Sequence, residues 1–411
     1  MQIPLDTRHL AQLAAQYGTP LWLYDAAVIR ERIGQLRAFD VVRFAQKACS
    51  NINILELMRE QGVLVDAVSE GELVRALAAG FIPSGDPAGV VLTADLLDAG
   101  TLERVVELGI EVNTGSIDML EQLGRAHPGH RVWLRVNPGF GHGHSQKTNT
   151  GGQNSKHGIW YSDLPAALAV IRRCGLQLVG LHMHIGSGVD YAHLETVCDA
   201  MVATALALGH DIEAISTGGG LSIPYQADEP RVDTAHYFSI WDAARRRIAQ
   251  ALGHPIRMEI EPGRFLVAES GLLLSEVRAV KDMGANHFIL VDAGFNDLMR
   301  PALYGSYHGI SLFHRDGSLP GNELRPTVVA GPLCESGDVF TQHDGGLVHP
   351  RPLPTAQVGD YLVFHDTGAY GASMSSNFNS RPLLPEVLVD GGRDRLIRRR
   401  QTIQELLALE S

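Results

Sequence analysis

At 411 residues, 45% of them hydrophobic and 19% charged, the chain is long for a single core and predicts two domains. Its 34 basic and 46 acidic residues give a net charge of −12, which excludes a general nucleic-acid or anionic-membrane surface. No apolar run reaches a membrane span, the segment Met1-Gln-Ile-Pro-Leu-Asp6 lacks a signal peptide's basic and hydrophobic regions, and four cysteines (Cys49, Cys174, Cys198, Cys334) show neither zinc spacing nor a disulfide framework, so a cytoplasmic protein with reduced thiols is expected.

In chain order, Pro20-Leu-Trp-Leu-Tyr24 predicts a strand that joins the second domain. Val41-Val-Arg-Phe-Ala-Gln-Lys47 predicts a buried strand ending on a lysine, and Ser50 and Asn51 offer caps for a helix carrying Ile52, Ile54, Leu55 and Met58. Further strands are expected at 63–68, 89–93, 111–114, 131–137, 178–185, 212–217 and 256–261, with amphipathic helices between them. Ser69-Glu-Gly-Glu72 reads as a capping box, and Ser162-Asp-Leu-Pro165 as another helix start. Eight strand–helix units over roughly 220 residues match an α/β fold of the (β/α)8, or TIM-barrel, type, assigned to residues 30–270. A doubly wound open sheet competes, but it usually has fewer strands and a phosphate motif after the first one, absent here. Beyond residue 270, Gly271–Val280, Phe288–Val291, Thr327–Ala330 and Tyr361–Phe364 predict short strands broken by turns. Residues 1–29 and 271–411 are therefore expected to form a β-rich domain, barrel-like or sandwich-like.

Polar residues gather at the carboxyl ends of the expected barrel strands: Lys47, Asp66 with Ser69, Asn113 with Ser116, Arg135, His184, Gly218-Gly219-Gly220, and Glu261 with Arg264. Active sites of this architecture lie at that face. Any one of these residues could be a strand terminator or helix cap, but seven positions in phase on one rim are hard to explain as structural accidents. Gly186-Ser187-Gly188, the triple glycine and Gly263-Arg264 would let backbone amides and a guanidinium approach one phosphate. Lys47 could form a Schiff base with an aldehyde, Glu261 could pair with a ring nitrogen, and His184 could lie against a ring face. Lysine, phosphate cup and carboxylate together suit pyridoxal phosphate (PLP).

Seven short motifs then appear in one order: Phe44-Ala-Gln-Lys47-Ala, His182-Met-His184-Ile-Gly-Ser187, Gly218-Gly-Gly220, Glu261-Pro262-Gly263-Arg264, Arg300-Pro-Ala-Leu-Tyr304-Gly, Cys334-Glu335-Ser-Gly-Asp and Gly368-Ala-Tyr370. Over nearly its whole length the chain resembles the diaminopimelate decarboxylases of the alanine-racemase-like, fold type III class of PLP enzymes, a class that includes ornithine and arginine decarboxylases. The resemblance implies decarboxylation of meso-2,6-diaminopimelate to L-lysine and CO2, the last step of lysine biosynthesis. It implies that Lys47 holds PLP, His184 stacks on the ring, and Glu261 keeps the pyridine nitrogen protonated. Ser187, Gly220, Gly263, Arg264 and Tyr370 would surround the phosphate, Gly219 and Pro262 would belong to the cofactor site beside them, and Asp66 and Arg135 would support the ring and its substituents. Cys334 would return a proton to the α-carbon. Arg264, Arg300 and Tyr304, with Tyr370 nearby, would bind the distal carboxylate, and Glu335 the distal amine. The family works as a homodimer in which Cys334 and Glu335 serve the neighbouring subunit. An arginine, ornithine or carboxynorspermidine decarboxylase on the same scaffold, or a non-catalytic PLP-binding relative, is the alternative.

The chain departs from the family's pattern in places. The polar stretch 139–155 carries His142 and His144, which could suggest a metal, but no carboxylate or cysteine accompanies them, so a flexible lid and no metal are expected. His157 stands where many relatives have phenylalanine. The third strand shows Thr93-Ala-Asp95 in place of a glycine- and lysine-containing stretch.

Overall fold

The computed structural model describes residues 3–141, 150–184 and 190–410. It divides into two compact units: residues 31–222 with 230–266, and residues 1–30 with 223–229 and 267–411. The chain opens in the second of these with helix α1 (Thr7–Tyr17) and strand β1 (Leu21–Asp25). Helix α2 (Ala26–Gly34) then leads into the first.

That unit is a closed parallel barrel. Strands β2 (Val41–Ala45), β3 (Leu64–Ala67), β4 (Val90–Ala94), β5 (Glu111–Thr114), β6 (Arg131–Asn137), β8 (Gln177–His182), β9 (Ala214–Ser216) and β10 (Arg257–Ile260) follow one another round the ring. The pairing of β10 with β2 and of β5 with β6 leaves no free edge. A two-residue strand, β7 (Ile159–Trp160), adds to β6. These strands are nearly continuous runs of buried residues, as expected where helices cover the outer face and side chains fill the inner one. The expected strands all form, but the first stops at Ala45. Cys49 N–H bonds the Gln46 carbonyl, closing a single 3-10 turn, Gln46–Ala48, so Lys47 sits just past the strand.

Helices α3 (Ile52–Glu60), α4 (Glu70–Ala78), α5 (Ala99–Leu108), α6 (Ile117–Ala126), α7 (Leu164–Cys174), α8 (Tyr191–Ala207) and α9 (Thr234–Leu252) alternate with these strands, and local chemistry sets their starts. Ser116 accepts the Met119 N–H ahead of α6 (Ile117–Ala126), which buries Met119, Leu120 and Leu123 on one face. Ser69 accepts the Glu72 N–H at α4 (Glu70–Ala78), but the Glu72 carboxylate takes the Val68 N–H rather than closing a box on Ser69. The expected start at Ser162 becomes a 3-10 turn, Tyr161–Asp163, and α7 (Leu164–Cys174) begins on Leu164-Pro165. The barrel floor is ionic: Arg43, fully buried, pairs with Glu259, which also takes Arg257, while Glu111 accepts from Arg131 and from the Trp133 indole.

The other unit is built on a nine-stranded mixed sheet. Its strands are β1 with β11 (Gly271–Met283), β12 (Asn286–Val291), β13 (Ile310–Phe313), β14 (Leu324–Ala330), β15 (Arg351–Pro354), β16 (Tyr361–Phe364), β17 (Glu386–Asp390) and β18 (Arg393–Arg398). Strand β1 lies antiparallel to β11 and parallel to β17, so the amino-terminal segment completes this sheet. Leu21, Leu23, Leu272, Leu274, Phe313, Val363 and Val387 pack with Leu10 and Leu13 of α1 into its core.

Candidate active site

In the barrel unit the rim residues converge around Glu261, one residue past β10. Its Oε2 lies 2.9 Å from His182 Nε2, and its Oε1 accepts from the Ser216 hydroxyl at 2.7 Å. Burial works against ionisation here, but His182 and the Ser216 hydrogen bond outweigh it and hold this carboxyl down at about 2. Each oxygen keeps a second lone pair for a further donor.

His184 follows β8. Its Nδ1 accepts the Gly219 N–H at 2.9 Å, which fixes the neutral tautomer with the proton on Nε2 and pins the ring. Burial, then the charges of Arg135 and Lys47, push this imidazole well below the ordinary range. A side chain at Gly219 would lie 2.6 Å from the Glu261 carbonyl oxygen, so only glycine brings that amide so close to both residues. Gly220 continues the turn at φ +95°. Gly263 is constrained less severely: an added Cβ would make tight contacts with the Ala45 carbonyl and the Ala48 side chain at 3.1 Å. The Ala45 N–H bonds the Pro262 carbonyl at 3.2 Å. Pro262-Gly263 thus packs against the turn that carries Lys47, and Arg264 begins the short helix α10 (Arg264–Val267).

Lys47 is exposed, while Gln46 and Ala48 on either side are buried. Asp66, at the end of β3, is buried with no hydrogen-bond partner for Oδ1. Burial, then the charge of Glu261, raise its carboxyl well above the ordinary range, against the pull of Lys47 and a hydrogen bond from Thr93. Asn113 Nδ2 donates to the Thr93 hydroxyl, extending this chain. Arg135 is buried beside Asp95, Glu261 and Asp66. Ser187 and the histidines at 142 and 144 lie outside the described residues.

Two of the departures from the family's pattern meet: His157 Nδ1 bonds Asp95 Oδ2, and Asp95 Oδ1 accepts the Gly158 N–H at 3.1 Å. Burial opposes ionisation of Asp95, but the His157 bond and the Arg135 charge lower its carboxyl overall.

The other five site residues belong to the second unit. Arg300 opens helix α11 (Arg300–Tyr304) and is 5% exposed. Cys334 and Glu335 are exposed on a turn held by Asp338, whose carboxylate accepts the Phe295 and Leu333 N–H groups at 2.7 and 2.8 Å. The Cys334 N–H donates to Asn379 Oδ1 at 2.9 Å. Among the described residues, Asp366, Tyr370, Asn379 and Ser380 are the non-glycine positions with positive φ. Such backbone costs about 1 kcal/mol or more at each position and clusters where function needs a fixed geometry.

Ser216, Thr93 and Asn379 carry no role legible in the sequence, and His182 stands out there only as part of a motif. His182 and Ser216 are polar residues closing otherwise apolar strands, and that was the available signal. Nothing in the sequence pairs Asn379 with Cys334.

The barrel site fits PLP. It offers an amine past a strand end, an imidazole pinned by a backbone amide, an ionised carboxylate with free lone pairs, an orphaned buried carboxyl oxygen, and backbone at Gly219 that no side chain could replace. Residues 27–268 match the family model described as the pyridoxal-dependent decarboxylase, pyridoxal binding domain. The chain belongs to the pyridoxal-dependent decarboxylases. Within that family it is 69% identical over 407 residues to the diaminopimelate decarboxylase of Escherichia coli (strain K12), covering 99% of this chain and 97% of that one. A crystal structure of diaminopimelate decarboxylase superposes with a TM-score of 0.96 at 69% identity, covering 98% of this chain and 96% of that one. The Helicobacter pylori diaminopimelate decarboxylase complexed with L-lysine matches at 30% identity and a TM-score of 0.85, covering 98% and 99%. Among the described residues no helix is long and apolar enough to cross a membrane.

Proposed function

We propose that this chain decarboxylates one end of meso-2,6-diaminopimelate, releasing CO2 and L-lysine, as the last step of lysine biosynthesis in the cytoplasm. The observation that carries this reading is the 69% identity, end to end, with the Escherichia coli diaminopimelate decarboxylase. Bound PLP supplies an electron sink for the pair left on the α-carbon when CO2 departs. The protein's own residues do the rest. Lys47 anchors the cofactor through its amine. Glu261, held ionised by His182 and Ser216, keeps the pyridine nitrogen protonated. His184, fixed by the Gly219 amide, would lie against one ring face. Ser187, Gly220, Gly263, Arg264 and Tyr370 would hold the phosphate, with Gly219 and Pro262 beside them, and Asp66 and Arg135 would support the ring and its substituents.

The reaction must return one proton to the α-carbon, and the Cys334 thiol supplies it as general acid. Arg264, Arg300 and Tyr304, with Tyr370, hold the distal carboxylate, a group that a bidentate guanidinium suits. Glu335 pairs with the distal amine. Cys334 and Glu335 are exposed in a single chain, which supports a homodimer in which each subunit lends these two residues to its neighbour.

Release of CO2 from meso-diaminopimelate, ornithine, arginine and carboxynorspermidine, followed on the purified holoenzyme, tests the proposal. Turnover of diaminopimelate with L-lysine as product is expected. A clear preference for any of the other three substrates overturns it.

A further inference from the structure

We propose that His308 is a positioning residue for Arg300, setting the direction in which its guanidinium meets the substrate's distal carboxylate. This rests on the assignment of Arg300 to that carboxylate. Arg300 and His308 are 5% and 1% exposed, so the polar atoms of both require defined partners. Arg300 NH1 lies 2.8 Å from His308 Nε2, and His308 Nδ1 lies 2.8 Å from the His365 backbone oxygen. A carbonyl oxygen only accepts. Nδ1 therefore carries the imidazole proton, and Nε2 presents its lone pair to the guanidinium.

The remaining contacts hold this arrangement from several sides. Arg351 NH1 donates to the His308 carbonyl at 2.6 Å, fixing the backbone. The His365 ring, whose carbonyl takes the His308 proton, is tied to Ser311 through Nε2 at 2.8 Å. The Tyr225 ring meets His308 edge-on, with centroids 5.4 Å apart, and lies 4.8 Å from the Arg300 guanidinium carbon. One N–H of the guanidinium is thereby spent on direction, which fixes the plane of the whole fork. An imidazole acceptor also differs from a carboxylate in kind: it orients the guanidinium without adding a negative charge that would compete with a substrate carboxylate.

The test uses His308→Leu, His308→Gln and Arg300→Lys as holoenzymes, comparing kcat and KM for meso-diaminopimelate with melting temperature and PLP absorbance. Glutamine can accept from Arg300 with its amide oxygen and donate to the His365 carbonyl with its nitrogen, whereas leucine can do neither. His308→Leu is expected to raise KM about tenfold while kcat falls less than about threefold, and His308→Gln to keep KM within about threefold of the parent. Arg300→Lys should raise KM at least as much as His308→Leu. An unchanged KM in folded His308→Leu, with KM raised in Arg300→Lys, overturns the positioning role alone. A tenfold rise in folded His308→Gln overturns it even if the leucine variant does not fold. An unchanged KM in Arg300→Lys overturns the assignment of Arg300, and the inference with it.

Discussion

At the scale of single residues, the barrel site separates two carboxylates by their surroundings. Glu261 is held low by His182 and Ser216, whereas Asp66, in the same interior, is raised by burial and by the charge of Glu261 itself. Opposite shifts in neighbouring acids are a signature of a site with assigned proton states. Asp66 also carries a stability consequence. Its raised folded pKa means the folded chain holds the proton to higher pH than the unfolded one does. Asp66 therefore costs stability once the pH exceeds the unfolded value of about 4, and Asp66→Asn removes that cost. The apo variant should melt at or above the parent temperature near pH 8, the gap closing toward about pH 4, while PLP affinity falls about tenfold. Melting curves across pH and a PLP titration check both, and a variant that melts lower at high pH contradicts the electrostatic reading.

At the scale of elements, the barrel was legible because its strands are short apolar runs of regular spacing, and the rim followed from where those runs end. Lys47, His184 and Glu261 could be placed by counting. Their partners could not. Ser216 closes a strand and Thr93 sits inside one, and periodicity marks each position as buried but not which neighbour it meets. The turn at Gln46–Ala48 was hidden for a related reason: Ala45 bonds a carbonyl from Pro262, more than two hundred residues away, and no local signal ends the strand there. The grouping of residues 223–229 with the second unit was equally invisible. The Asp95–His157 pair shows the converse, two positions that each looked like an isolated departure and that bond one another. Asp95 also takes the Gly158 amide, so it staples the segment ahead of β7 to the end of β4. Asp95→Ala should loosen that segment by about 1–3 kcal/mol, raising amide exchange over residues 155–160 about tenfold or more while the barrel strands keep their protection. Unchanged exchange there would show that the pair holds nothing.

At the scale of the whole molecule, the proposed chemistry is divided between two units, with the cofactor's residues other than Tyr370 in the barrel and Arg300, Tyr304, Cys334, Glu335 and Tyr370 in the sheet unit. The full sequence carries only four lysines, Lys47, Lys147, Lys156 and Lys281, against a background rich in arginine. A cofactor bound through an amine thus has few possible anchors, and among the described lysines Lys47 is the one placed just past a barrel strand, on the turn that packs against Pro262-Gly263. The measurement that bears most directly on this is borohydride reduction of the holoenzyme, followed by proteolysis and peptide mass analysis. A pyridoxyl group on Lys47 and on no other lysine is the expected result. A label on Lys147, Lys156 or Lys281, or no label at all on an active preparation, would contradict it.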